Sequence, residues 1–149
     1  MQIYIDADAC PVVNETLALA HSFSLPCTLL CDTSHRIERE GFATITCSKG
    51  ADSVDFTLVN LIKSGDLVIT QDYGLAAMCL ARGAYVMHQD GHFYTEENID
   101  ALLLARHTAA KVRRGGGRLK SIPKRTKEQN LAFSSALQRF LSSKTTNNT

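Results

Sequence analysis

The stretch that decides the fold is MQIYIDADACPVV, residues 1–13. Its apolar, β-prone residues Ile3-Tyr4-Ile5 predict a short buried strand. Asp6-Ala7-Asp8 follows directly, and Pro11 suits the first position of a helix, where the N–H that proline lacks is not needed. The order strand, acidic turn, helix therefore places two carboxylates at the carboxyl end of a strand, the edge at which open α/β sheets bind ligands.

The segments after this stretch alternate between strand and helix patterns. Apolar or β-branched runs predict strands, and apolar residues at helical spacing predict helices. Thr126 with Gln129 forms a capping box that opens the last helix. The stretch 88–94 is rich in turn-forming residues and is predicted to be a loop. Further strands are predicted at 27–31, 42–47, 67–70 and 84–87, and helices at 11–23, 51–63, 75–82, 95–114 and 126–142.

This alternation predicts a single-domain α/β fold, with a mostly parallel central sheet of about five strands, helices on both faces and a C-terminal helix. The length of 149 residues fits one domain. No apolar run reaches the roughly 20 residues of a membrane span, and the first residues lack a signal-peptide pattern. We therefore expect a cytoplasmic protein with no membrane partner. The predicted parts are an α/β domain at 1–114, a basic linker at 115–125, a C-terminal helix of the same domain at 126–142 and a disordered tail at 143–149.

Basic and acidic residues are segregated along the chain. Residues 1–100 hold 5 Lys and Arg against 14 Asp and Glu, whereas residues 101–149 hold 11 basic residues and one acidic residue. Such a basic half favours an anionic partner, and we expect nucleic acid, RNA ahead of DNA, held through its phosphates. A solvated basic tail is the alternative, and net charge does not separate the two. The expected phosphate-binding residues are Arg106, Lys111, Arg113, Arg114 and Arg118.

Cysteines and histidines offer weaker candidates for a site. The five cysteines are an odd number and lack a Cys-x-x-Cys pair, so free thiols in a reducing compartment explain them better than disulfides or zinc. His88 and His92, after the fifth predicted strand, lie on the carboxyl side of the sheet. A surface or packing role explains them more simply than a catalytic one.

Five aspartates are predicted to lie together at the carboxyl edge of the sheet. Each has a structural explanation, because Asp is a good N-cap and is favourable in the first turn of a helix. Several ionised carboxylates in one cleft, however, repel one another unless a cation is present. Oxygen ligands without a Cys or His cluster favour Mg²⁺ or Mn²⁺, and such an ion suits phosphodiester hydrolysis. The five are Asp6 and Asp8 after the first strand, Asp52 and Asp55 at the start of the helix after the third, and Asp72 after the fourth.

Three motifs resemble the signature stretches of the bacterial YaiI/YqxD family of uncharacterised proteins. They are DADACPV at 6–12, GADSVD at 50–55 and TQDYGLA at 70–76, with Asn98-Ile99 and Arg106 also in the family positions. The family has been placed near PIN and NYN-like nuclease domains, so the resemblance implies a PIN-like α/β domain over residues 1–114 and an acidic, Mg²⁺-type site. It implies Asp6 as the first acid, Asp52 or Asp55 as the middle one and Asp72 as the third, while Asp8 belongs to the family motif. His107 stands where many relatives have Asp.

The predicted function is that of a Mg²⁺- or Mn²⁺-dependent nuclease or phosphodiesterase of PIN-like type. Its predicted catalytic residues are Asp6, Asp8 and Asp72, and its predicted metal ligands are these three with Asp52 and Asp55. One alternative is a module that binds nucleic acid without cleaving it. A second is a phosphatase that uses Asp6 and Asp8, although Cys10 stands where that chemistry wants Thr or Val. The sequence does not indicate the oligomeric state.

Overall fold

The computed structural model describes residues 1–33, 37–48, 50, 53–116 and 124–146, without the side chains of Arg106 and Arg113. No helix in these ranges is long and apolar enough to cross a membrane. The strands in them are β1 (Ile3–Asp6), β2 (Cys27–Asp32), β3 (Ala43–Cys47), β4 (Leu67–Ile69), β5 (Tyr85–Met87) and β6 (Phe93–Tyr94). The helices are α1 (Val13–Ser22), α2 (Ser53–Leu61), α3 (Tyr73–Ala81), α4 (Glu96–Arg114) and α5 (Lys127–Thr146).

The strands form one sheet in the order β3-β2-β1-β4-β5-β6. Strands β1 to β5 run parallel, and β6 is antiparallel to β5. The predicted α/β fold with a mostly parallel sheet is confirmed. The chain builds outward from β1 through β2 and β3 on one side and through β4 and β5 on the other. A reversal of this kind, here between β1 and β4, opens a crevice at the carboxyl ends of the strands, where ligands bind in such folds.

Helices cover both faces of the sheet. In β1, Ile3 and Ile5 are buried in the core that α1 and α5 cover, while Tyr4 packs against the core that α2, α3 and α4 cover. Phe133 and Leu137 of α5 are fully buried in the first of these cores. Because both faces are buried at the centre of the sheet, β2 and β4 consist mostly of apolar residues, whereas the edge strand β3 is partly exposed.

The boundaries of α5 follow partly from its sequence. The Thr126 N–H donates to Gln129 Oε1 at 2.8 Å, and the Gln129 N–H donates to Thr126 Oγ1 at 3.4 Å, which confirms the capping box. The helix continues to Thr146, so the disordered tail predicted from residue 143 was wrong at 143–146. The hydroxyl of Thr145 donates to the carbonyl oxygen one turn earlier, which lets a polar residue stay in the helix. Residues 147–149 lie outside the described part.

Two other local predictions were wrong. Helix α1 begins at Val13 with Val12 as its N-cap, so Pro11 lies in the turn before the helix and not at its first position. The stretch 88–94 is a hairpin and not only a loop, since Phe93–Tyr94 pairs antiparallel with Val86–Met87. A strand of two residues is too short to show a period of two, and the sequence pattern therefore missed it. The turn of this hairpin places Gly91 at φ 96°, a conformation that glycine adopts at little strain.

Candidate active site

The register between β1 and β4 brings Asp6 and Thr70 side by side. Ile5 of β1 is level with Ile69 of β4, and Asp6 and Thr70 each follow by one residue. The Thr70 hydroxyl donates to Asp6 Oδ2 at 2.8 Å and accepts the N–H of Asp72 at 3.0 Å. Since Thr70 is buried, this one hydroxyl fixes the positions of both neighbouring acidic residues at the carboxyl edge.

Asp72 and Asp8 each hold backbone groups in this edge. Asp72 is the N-cap of α3, and its Oδ1 accepts the N–H groups of Gly74 at 2.9 Å and Leu75 at 3.2 Å. Asp8 Oδ2 accepts the N–H of Asp32 at 3.0 Å, which ties the turn after β1 to the end of β2. The capping role that Asp offers at a helix start therefore applies to Asp72, and Asp8 has a bridging role that local sequence does not show.

Asp6, Asp8 and Asp72 interact electrostatically. Burial raises the pKa of Asp6 to about 6, and the charges of Asp72 and Asp8 push this pKa in the same direction. The hydrogen bond from Thr70 opposes the shift but does not cancel it. The structure thus brings the three predicted catalytic acids together and disfavours the negative charge of Asp6.

Asp55 approaches the same region from α2, on the face of the sheet that α2, α3 and α4 cover. It lies in the first turn of α2 and is half-buried. Burial raises the pKa of the Cys79 thiol to about 12, and the charges of Asp55 and of Asp6 add to this shift. Both carboxylates therefore act on one buried thiol. Asp52, the other predicted ligand from this motif, lies outside the described residues.

Arg125 is a site residue that the sequence patterns did not indicate. Its guanidinium donates to Asp90 Oδ1 at 2.5 Å, to the carbonyl oxygen of Gln89 at 2.7 Å and to Asn130 Oδ1 at 2.6 Å. Its charge and that of Asp6 both influence the half-buried thiol of Cys10. Arg125 therefore fixes the start of α5 to the β5–β6 hairpin, close to the acidic edge. Its position directly before the Thr126 cap is the only sequence signal for this role.

His88 and His92 form an aromatic group beside the acids. Their rings stack with centroids 4.5 Å apart, and both meet the ring of Tyr94 edge-on. Tyr94 in turn meets Tyr73, the first residue of α3, at 5.8 Å. Burial and the nearby His92 lower the pKa of His88, which keeps that imidazole neutral near pH 7. The two histidines do pack against each other, and they also lie on the side of the sheet where the acids meet.

Comparison with known proteins identifies the relatives of this chain. The family model described as "Uncharacterized BCR, YaiI/YqxD family" matches residues 4–143. The chain belongs to the YaiI/YqxD family. It is 47% identical over 145 residues to a UPF0178 protein of Exiguobacterium sibiricum, covering 97% of this chain and 99% of that relative. A UPF0178 protein of Ruminiclostridium cellulolyticum is 48% identical over 142 residues, covering 95% and 92% respectively. No solved structure matches the chain.

The acidic residues that meet in this YaiI/YqxD chain offer oxygen donors, which are the ligands that hard cations such as Mg²⁺ prefer. Asp6, Asp8 and Asp72 supply carboxylate oxygens. The charges of Asp8 and Asp72 raise the pKa of Asp6, and a bound cation would lower this pKa again. Within the described ranges, no group of three Asp, Glu, His or Cys side chains is already arranged to hold a metal ion. The predicted ligand Asp52 lies outside these ranges. Binding of Mg²⁺ or Mn²⁺ therefore stays a prediction.

The predicted phosphate-binding residues can be placed only in part. Lys111 and Arg114 are exposed on the C-terminal half of α4, where Arg114 Nε donates to the carbonyl oxygen of Ala110 at 3.4 Å. Arg106 and Arg113 belong to the same helix, and nothing is described of their side chains. Arg118 and the predicted linker residues 117–123 lie outside the described part. Binding of nucleic acid by these residues stays a prediction.

Proposed function

We propose that this protein is a Mg²⁺- or Mn²⁺-dependent phosphodiesterase of PIN-like type that cleaves nucleic acid. The observation that carries the proposal is the meeting of Asp6, Asp8 and Asp72 at the reversal of strand order, with the pKa of Asp6 raised to about 6. A half-buried carboxylate beside two others is unfavourable in a site with a purely structural role. The same arrangement is useful where a cation must be held.

In this proposal the residues of the site have two different roles, which are to bind the cation and to position its ligands. Asp6 and Asp72 would hold the cation, with Asp8 as a further ligand, direct or through water. Thr70 positions both main ligands, because its hydroxyl holds the Asp6 carboxylate and the backbone of Asp72 at once. A bound divalent ion supplies a water of lowered pKa and neutralises charge on the phosphate. The placement of the YaiI/YqxD family near PIN and NYN-like nuclease domains, which the resemblance of the motifs implies, supports the same reaction.

The basic half of the chain supports a polyanionic substrate. Nine basic residues and no acidic one lie between residues 106 and 127. Arg125, near the C-terminal end of this range, is held at the β5–β6 hairpin, and Lys111 and Arg114 are exposed nearer its N-terminal end. Exposed basic side chains such as Lys111 and Arg114 would bind the phosphates of such a substrate. We expect single-stranded RNA ahead of DNA as the substrate.

The test is cleavage of labelled single-stranded RNA and DNA with Mg²⁺, Mn²⁺ or EDTA. Asp72→Asn keeps a good N-cap for α3 but loses a charged ligand, and we expect its cleavage rate to fall at least about 100-fold. Glu40→Gln is the matched control, because Glu40 is exposed and precedes β3 at the opposite edge of the sheet. Cleavage that persists in EDTA, or that Asp72→Asn leaves intact, would disprove the proposal.

A second candidate is a module that binds nucleic acid without cleaving it. Two of the three acids already hold backbone N–H groups, Asp72 at α3 and Asp8 at β2, and this observation favours a structural role for them. Such a module would bind RNA in a salt-dependent manner, with no product under any metal. Binding and cleavage measured on the same samples distinguish the two functions.

A further inference from the structure

Helix α4 has apolar residues on two opposite faces. Ile99, Leu102 and Leu103 point toward α3 and the core. The opposite face also carries apolar side chains, among them Leu104, 66% exposed, and Val112, 39% exposed. A surface helix normally turns charged and polar residues to this side. We call the outward face the α4 stripe; it consists of Ala101, Leu104, Ala105, Thr108, Ala109 and Val112 and lines a shallow groove of about 460 Å³.

The α4 stripe can be buried without leaving a polar group unsatisfied. Its only side-chain polar atom belongs to Thr108, whose hydroxyl donates to the carbonyl oxygen of Leu104 at 3.0 Å within the helix. The remaining members are Ala, Leu and Val. Covering the stripe would therefore remove apolar surface from water with no loss of hydrogen bonds.

Large and small residues alternate along the stripe in such a way that a second, antiparallel stripe would place its small residues opposite the large ones. If two copies of α4 cross antiparallel with their midpoint between residues 106 and 107, Leu104 lies opposite Ala109, and Val112 opposite Ala101. Each large side chain then meets a small one, as close helix packing requires. In a parallel, in-register pair, Leu104 would meet Leu104, and Val112 would meet Val112.

Charge supports the same orientation. Glu96, Glu97 and Asp100 are exposed at the N-terminal end of α4, whereas Lys111 and Arg114 are exposed near its C-terminal end. Antiparallel packing places the acidic end of one helix against the basic end of the other. It also aligns the two helix dipoles in opposite directions, which is favourable. On the same flank of the stripe, Asp100 of one copy comes beside Lys111 of the other.

We propose that the α4 stripe is a self-association surface, on which a second copy of this chain packs its own α4 antiparallel. The contact is isologous, so each residue on the surface is used twice. One helix pair buries less than the roughly 1,600 Å² of a standard interface. We therefore expect a reversible dimer with a Kd in the micromolar range.

The first test measures the oligomeric state by sedimentation velocity from about 1 μM to several hundred μM, with no nucleic acid or metal present. Leu104→Glu places two charges in the contact, and we expect the Kd to rise at least about 100-fold. Leu131→Glu is the matched control, because Leu131 on α5 is also 66% exposed, and it should dimerise like the unmodified chain. A chain that stays monomeric throughout, or two variants that behave alike, would overturn the proposal.

The second test checks the orientation. Asp100→Lys should weaken the dimer by bringing like charges together, and adding Lys111→Asp to the same chain should restore it. A merely structural role of either residue would not produce this rescue. If the double variant stays as weak as Asp100→Lys alone, the antiparallel packing is wrong. If Leu104→Glu instead reduces RNA binding by a monomer, the stripe serves the nucleic acid and not a second copy.

Discussion

Replacing Asp6 by Asn should make the protein more stable at neutral pH. The pKa of Asp6 is about 6 in the folded protein, against an ordinary value of 3.8, chiefly because of burial. A shift of about 2 pH units corresponds to about 3 kcal/mol against folding once the carboxyl is ionised. Asn stays neutral and can still accept the hydrogen bond from Thr70. We therefore expect Asp6→Asn to raise the free energy of unfolding by about 1 to 3 kcal/mol at pH 7.5.

The gain should depend on pH with a definite sign. Between about pH 4 and 6 the folded state binds the proton of Asp6 more tightly than the unfolded state does. The stability of the unmodified chain therefore falls as pH rises through this window. Asp6→Asn lacks this fall, so most of its advantage should be absent at pH 4 and complete above pH 7.

The assay is urea unfolding of both chains at pH 4 and 7.5, with thermal melts in parallel, where each kcal/mol moves the Tm by roughly 2 to 4 °C. Asp66→Asn is the control with opposite sign. The Asp66 carboxylate accepts the N–H groups of Gln2 at 3.0 Å and Lys63 at 2.9 Å, and Asn cannot accept both. A loss of stability in Asp6→Asn at pH 7.5 would refute the view that the charge on Asp6 is poorly compensated.

Two further substitutions test the parts around the site. Thr70→Val should lower the free energy of unfolding by about 1 to 3 kcal/mol, since it removes the donor to Asp6 and leaves the N–H of Asp72 without its acceptor. Urea unfolding measures this loss, and an unchanged unfolding midpoint would contradict the prediction. Gly91→Ala should cost more than Gly41→Ala, because both have positive φ but only a Cβ at position 91 would lie 3.1 Å from a carbonyl oxygen of α5. Equal losses in the two glycine variants would show that α5 moves aside freely.

The sequence predicted well those features that depend on a few neighbouring residues. The parallel sheet followed from apolar runs that alternate with helical patterns. The capping box at Thr126 is visible in four consecutive residues. Asp6 and Asp72 could be brought together because the carboxyl ends of parallel strands meet at one edge.

The features that the sequence did not show depend on register and on distant partners. Thr70 became a central residue only because β1 and β4 are level at Ile5 and Ile69. The bond from the Asp32 N–H to Asp8 joins residues 24 apart in the chain. The three contacts of Arg125 likewise span a hairpin and a helix start. Periodicity and propensity describe one segment at a time and say nothing about such pairings.

The packing of α5 against β1 and α1 has a consequence for the order in which the chain can mature on the ribosome. β1 emerges first, and α1 follows it, yet the core around Ile3 and Ile5 is completed only by residues as late as Phe133 and Leu137. Until those residues are synthesised, part of this apolar sheet face and of α1 remains exposed to solvent and accessible to chaperones. A nascent chain halted before α5 should thus be the aggregation-prone species during production of this protein.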